Sequence, residues 1–99
     1  MVDIEKDKRA IGVICRDVGV LRLDLFGSAT SSDFGPGSDI DVVARFDRTQ
    51  GDMFRRYFDL KERLEDLWEL PVDIVLEDSI QNPYFRKAID SSRVVVYEA

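Results

Sequence analysis

The sequence predicts a small α+β domain, and three observations predict it. The apolar periodicity switches along the chain. Helical spacing covers about 3–18, 52–70 and 83–90, and strand alternation or short apolar runs cover 20–26, 39–46, 72–76 and 94–97. Turn residues join the first two strand segments, so they need no crossover and read as an antiparallel hairpin with a long connection. The 99 residues, 44% of them apolar, suit one small packed core. No repeat, low-complexity tract or linker interrupts them, so residues 1–99 read as a single domain.

The first helix places Ile4, Ile11, Ile14, Cys15 and Val18 on one face, with Asp3 able to cap its start and Gly19 to end it. Lys6, Asp7, Lys8, Arg9 and Asp17 read as its solvated side. Leu21, Leu23 and Leu25 alternate with Arg22, Asp24 and Phe26 in the first strand. Gly35-Pro36-Gly37 is a strong turn signal within the following loop. Ile40, Val42, Ala44 and Phe46 then face one way along the second strand. The second helix carries a broad stripe of Phe54, Tyr57, Phe58, Lys61, Leu64, Leu67 and Trp68, whose aromatic members read as core, and Pro71 stops it near Leu70. The run Val72–Leu76 is a third strand. Asn82 caps a short helix with Pro83 at its first position, and Val94–Tyr97 closes the chain as a strand.

Composition narrows the function. The net charge is −6, with 20 acidic against 14 basic residues, which argues against unaided nucleic-acid binding. The chain holds no histidine, which removes the commonest general base, Ser-His and Cys-His nucleophile pairs, and histidine-ligated zinc. Its one cysteine, Cys15, reads as a core residue, cannot form an internal disulfide and fits a reducing, cytoplasmic setting. No leader and no apolar run of membrane-spanning length is present, so a membrane partner is not expected. Any catalysis falls to carboxylates.

The candidate site lies between the first two strands. Asp39 and Asp41 project from one side of the second strand. Two carboxylates so close repel unless a cation lies between them, and a hard divalent ion with oxygen ligands, Mg²⁺ above all, fits. Gly27-Ser28 offers backbone N–H groups and a hydroxyl where a phosphate can approach, and the hairpin returns this pair beside Asp39 and Asp41. Asp73 interrupts an apolar run, and a buried unpaired carboxylate there is costly. It either sits at the sheet edge in water or faces the same cation as Asp39 and Asp41. Residue chemistry leaves both open.

The spacing Gly27-Ser28, ten residues, Asp39-Ile40-Asp41 resembles the G-S-x10-D-x-D signature of the polymerase-beta-like nucleotidyltransferases. With the leading helix, L-F-G-S, S-D-I-D-V, V-D-I-V and the N-P-Y helix followed by V-Y, the whole chain is similar to the minimal nucleotidyltransferases, which are often antitoxins of HEPN-domain toxins. The resemblance implies a mixed, mainly antiparallel sheet with helices packed on one side. It implies that Asp39, Asp41 and Asp73 are catalytic and bind metal, with Asp73 accepting the proton of the attacking hydroxyl. It implies that Gly27, Ser28 and Ser38 bind the nucleotide, and that two Mg²⁺ ions and ATP take part.

One departure stands out. Minimal members commonly carry an arginine shortly after Gly-Ser, whereas this chain has Ala29-Thr30-Ser31-Ser32-Asp33, with no cation. Arg45, Arg48, Arg55, Arg56 and Lys61 are candidates to replace it. Two functions follow. One is a Mg²⁺-dependent transferase moving AMP from ATP to a hydroxyl, a tyrosine of a partner HEPN toxin. The other is a catalytically weak or inert antitoxin that neutralises its toxin by binding alone. An acidic cation-binding loop over 31–41 does not fit the EF-hand pattern, and RNA tailing sits poorly with the acidic balance.

Overall fold

The computed structural model describes residues 4–30 and 39–99. Helix α1 (Ile4–Val18) leads into strand β1 (Val20–Phe26) and a 3-10 turn, Gly27–Thr30. Strand β2 (Ile40–Phe46), helix α2 (Met53–Trp68), strand β3 (Val72–Leu76) and a second 3-10 turn, Glu77–Ser79, follow. Helix α3 (Pro83–Ser92) and strand β4 (Val94–Glu98) complete the order. The expected Asp3 cap and the Gly35-Pro36-Gly37 turn lie outside the described residues.

The four strands form one sheet in the order β3-β2-β1-β4. Strand β1 runs antiparallel to both β2 and β4, and β2 runs parallel to β3. The hairpin expectation holds, and the sheet is mixed and mainly antiparallel. Ile40, Val42, Ala44 and Phe46 all enter the core, as their alternation predicts. They pack with Leu23, Leu25, Val72 and Val96 from the sheet, Ile11 and Cys15 from α1, and Leu60 and Leu64 from α2. Full burial of a side chain of this kind contributes roughly 1.5–3 kcal/mol. Burial also pushes the Cys15 thiol up to about 12, which leaves it an inert core residue at neutral pH.

Bulges break the simple alternation of β1. Its register shifts between Val20 and Arg22 against β2, and between Leu23 and Asp24 against β4. Val20 therefore joins the core where sequence alternation places Leu21, which is only partly buried.

Helix α2 differs more. Phe54 is 80% exposed and Phe58 is 47% exposed, so these members of the predicted stripe are not core. They stack on each other on the outside, with centroids 4.8 Å apart. The buried line is Arg56, Leu60 and Leu64, flanked by Met53, Tyr57, Leu67 and Trp68. The helix is rotated because Arg56 turns inward. Its Nε donates to Val18 O at 2.7 Å and its Nη2 donates to Gly19 O at 2.8 Å and Asp47 O at 2.9 Å. Nη1 reaches Gln50 O and Gly51 O, and the guanidinium lies 5.3 Å from the Phe46 ring centroid. One side chain thus satisfies the carbonyls where α1 ends, β1 begins and β2 exits. Gly19 is required there twice over. It has φ +74°, and a Cβ would lie 2.6 Å from Arg56 Nη2.

Helix α2 stops at Trp68, two residues before Leu70, because Glu69 turns left-handed at φ 55°, its N–H making the last helical bond, to Glu65 O. Helix α3 is capped as the sequence predicts. Asn82 Oδ1 accepts from the backbone N–H of Tyr84 at 2.8 Å and of Phe85 at 3.3 Å. This helix lies against β1 and the first 3-10 turn. Phe85 meets Phe26 edge-on at 6.3 Å, and Ile89 is fully buried.

Candidate active site

Alternation along β2 turns Asp41, Val43 and Arg45 to the face opposite the Ile40, Val42 and Ala44 core line. Asp73 is the register partner of Asp41 in the parallel β2–β3 pair. Partners in adjacent strands share a face, and neighbouring strands run about 4.8 Å apart. Both sequence-level alternatives for Asp73 therefore apply. It is exposed on an edge strand, and it shares the face of Asp41. Asp39 sits two residues before Asp41, at the mouth of β2, and is exposed.

Burial, then the neighbouring Asp73 and Asp39 carboxylates, raise the Asp41 carboxyl above the usual aspartate range. The ion pairs seen among the described residues go to other carboxylates: Asp17, Asp24, Asp59, Glu65, Glu77, Asp78, Asp90 and Glu98. Gly27 packs directly against this group. It has φ +68°, and a Cβ on it would stand 3.1 Å from Asp41 Oδ2. The structure thus brings Asp39, Asp41, Asp73 and the Gly27 turn together. The Ser28 side chain and all of Ser38 lie outside what is described.

The Gly27 N–H is not the free amide that the sequence suggests. It donates to Ser92 Oγ at 3.0 Å, while Thr30 Oγ1 donates to Gly27 O at 2.8 Å. Among the described residues, no three acidic side chains are gathered at ligand spacing. The donor set still fits a hard divalent cation: three carboxylates, one with its proton affinity raised by burial and by the other two.

Four of the five replacement cations are committed elsewhere. Arg56 is the carbonyl staple already described. Arg48 pairs with Asp78 at 3.1 Å and Arg55 with Asp59 at 3.9 Å. Lys61 donates to Glu65 and to Val72 O. Arg45 shares the face of Asp41 and is exposed.

Sequence reasoning missed Asp24. It is fully buried and takes Arg22 at 3.0 Å and Arg93 at 2.6 Å. Arg93 also reaches Glu77 at 2.7 Å and Asp90 at 3.0 Å. The charge of Asp24 in mid-strand was a signal that a cation must lie near it, but its main partner is 69 positions away.

A cavity of about 390 Å³ lies elsewhere, lined by residues that include Asp17, Asp52, Arg55, Arg56, Asp59 and Arg63. It shares no residue with the carboxylate cluster. Its Arg63 is already paired with Asp17 at 3.0 Å, and Arg56 is saturated by carbonyls.

Comparison with known proteins decides the family. The family described as nucleotidyltransferase domain matches residues 7–96. The chain belongs to this nucleotidyltransferase family. A Methanocaldococcus jannaschii protein provisionally named a protein adenylyltransferase is 36% identical over 77 residues, 78% of this chain and 77% of that protein. A solved structure provisionally titled a minimal nucleotidyltransferase superposes with a TM-score of 0.75 at 27% identity, over 94% of this chain and 95% of that one. A chain from the complex of a tri-AMPylated Shewanella oneidensis HEPN toxin with its MNT antitoxin shares the fold. Its TM-score is 0.66 at 16% identity, over 97% of this chain and 73% of that one. The nucleotidyltransferase fold of these relatives is the three-helix, four-strand arrangement seen here. No helix among the described residues is long and apolar enough to cross a membrane.

Proposed function

We propose that this nucleotidyltransferase is a Mg²⁺-dependent adenylyltransferase that moves AMP from ATP to a hydroxyl of a partner protein, a tyrosine of a HEPN toxin, and so acts as its antitoxin. The observation that carries this reading is the register match of Asp41 with Asp73 on one face, against which Gly27 packs. The name of the Methanocaldococcus jannaschii relative supports protein as the acceptor, and the AMPylated toxin complex supports the partner.

In this reading Asp39, Asp41 and Asp73 hold the metal, and Gly27, Ser28 and Ser38 hold the triphosphate. Magnesium, when bound, supplies charge neutralisation at the phosphates and lowers the pKa of the acceptor hydroxyl. The acceptor oxygen forms a bond to the α-phosphorus as the bond to the β-phosphate oxygen breaks, and pyrophosphate leaves. Asp73, exposed at the sheet edge, takes the hydroxyl proton from the open side of the site. The rigid β2–β3 pair supplies orientation, which is where most of the catalysis resides.

The test is transfer of label from ATP to the co-expressed neighbouring-gene product in the presence of Mg²⁺. Wild type labels the partner, and Asp39→Ala/Asp41→Ala does not. Equal labelling by both proteins refutes the assignment. A second reading, neutralisation by binding alone, is favoured by one observation: Arg48, Arg55, Arg56 and Lys61 are all paired with carboxylates or backbone carbonyls of this chain. Under that reading the double variant still neutralises the toxin.

A further inference from the structure

We propose that Ser92 is a positioning residue for the nucleotide-binding turn, with Arg93 anchoring it in place. The role rests on the nucleotide reading above. Ser92 is the last residue of α3, yet its Oγ accepts from the backbone N–H of Gly27, 65 positions earlier. The next residue, Arg93, is 14% exposed at its side chain and is held by three carboxylates: Asp24 on β1, Glu77 just after β3, and Asp90 on α3. The dipeptide therefore ties together three pieces of the site. Asp24 fixes it to the strand that ends in the Gly27 turn. Glu77 fixes it to the segment following the strand that carries Asp73. Ser92 then grips the turn itself.

Gly27 is held between two groups. The Ser92 hydroxyl takes its N–H, and the Asp41 carboxylate stands 3.1 Å from where its Cβ would be. Without the hydroxyl, a partly buried N–H loses its acceptor beside an anionic oxygen. It then turns toward Asp41, and the turn and the carboxylate interfere with one another. With the hydroxyl in place, Asp41 stays open to a cation and the Gly27 turn keeps its shape. Ser92 Oγ also donates within its own helix, to Ala88 O at 3.4 Å, the carbonyl that Ser91 Oγ reaches at 2.8 Å; the reach to the Gly27 N–H is what sets Ser92 apart.

The test compares Ser92→Ala, Ser92→Thr and Ser91→Ala with wild type in two measurements. The first is hydrogen exchange of the Gly27 amide by NMR, without ligand. The second is calorimetric affinity for a non-hydrolysable ATP analogue with Mg²⁺. Ser92→Ala loses Gly27 protection and weakens nucleotide affinity about tenfold, the effect of one lost positioning hydrogen bond. Ser92→Thr restores both, and Ser91→Ala changes neither. The proposal is overturned if Ser92→Ala binds as tightly as wild type, or if both serine variants fall equally. If wild type itself binds no nucleotide, the nucleotide reading fails and this role with it. Gly27 exchange still reports separately whether the hydrogen bond exists.

Discussion

Removing the Arg56 guanidinium separates a structural role from a phosphate-binding one. Arg56→Met keeps the aliphatic stem and deletes the charge. Two of its bonds, to Val18 O and Gly19 O, lie in buried surroundings, while those to Asp47, Gln50 and Gly51 are only partly buried. Water can replace the second group but not the first. Hydrogen bonds to a charged group contribute about 1.5–3 kcal/mol each, so two give about 3–6 kcal/mol. Returning the guanidinium's desolvation cost offsets part of this, leaving a loss of about 3 kcal/mol. A domain of this size shifts by about 4–8 °C per kcal/mol, so Tm should fall by roughly 12–24 °C. Thermal and urea unfolding read the change, with Arg55→Met as the control. Arg55 is 79% exposed at its side chain and pairs loosely at 3.9 Å, so its loss should stay within about 0.5 kcal/mol. A loss below about 1 kcal/mol for Arg56→Met, with weakened nucleotide binding instead, would refute the staple and place Arg56 on phosphate.

Three further predictions follow from the same geometry. Because Asp41 holds its proton more tightly folded than unfolded, metal-free stability should rise as pH falls from its folded value toward the ordinary aspartate range. The difference between wild type and Asp41→Asn in EDTA isolates this term, and Asp41→Asn should have the higher Tm at pH 7; a lower Tm would contradict the crowding of carboxylates. Gly27→Ala must place a side chain at φ +68° and 3.1 Å from Asp41 Oδ2. It should cost about 1–2 kcal/mol in urea unfolding, and an unchanged midpoint would show that the turn relaxes freely. Cys15, with its thiol pushed up to about 12, should resist a thiol reagent at pH 8 until the protein unfolds, whereas rapid labelling of the native state would place it outside the core.

What was legible in the sequence was local. The Asn82 cap, the end of α1 at Gly19 and the core line Ile40, Val42, Ala44 and Phe46 depend on residues within one element, and the structure matches each. The hairpin between β1 and β2 was legible from the turn residues joining them. The same spacing placed Gly27 beside Asp41. The parallel pairing that sets Asp73 beside Asp41 was not readable from periodicity, because Val72–Leu76 reads equally well at an edge in water. The inward turn of Arg56 was also hidden. Helical spacing marks positions, not the carbonyls 37 and 38 positions away that an arginine will satisfy. That single long-range demand moved the buried face of α2 and left Phe54 and Phe58 outside. Asp24, Ser92 and Arg93 stayed invisible for the same reason, since their partners meet only once the sheet has closed.

Binding of Mn²⁺ as a Mg²⁺ substitute, titrated by electron paramagnetic resonance with a non-hydrolysable ATP analogue present, addresses the convergence of the three carboxylates. Wild type should bind the ion, Asp39→Asn and Asp41→Asn should abolish binding, and Asp73→Asn should weaken it about tenfold or more. If Asp73→Asn binds Mn²⁺ as tightly as wild type, the shared face of β2 and β3 is not a metal site.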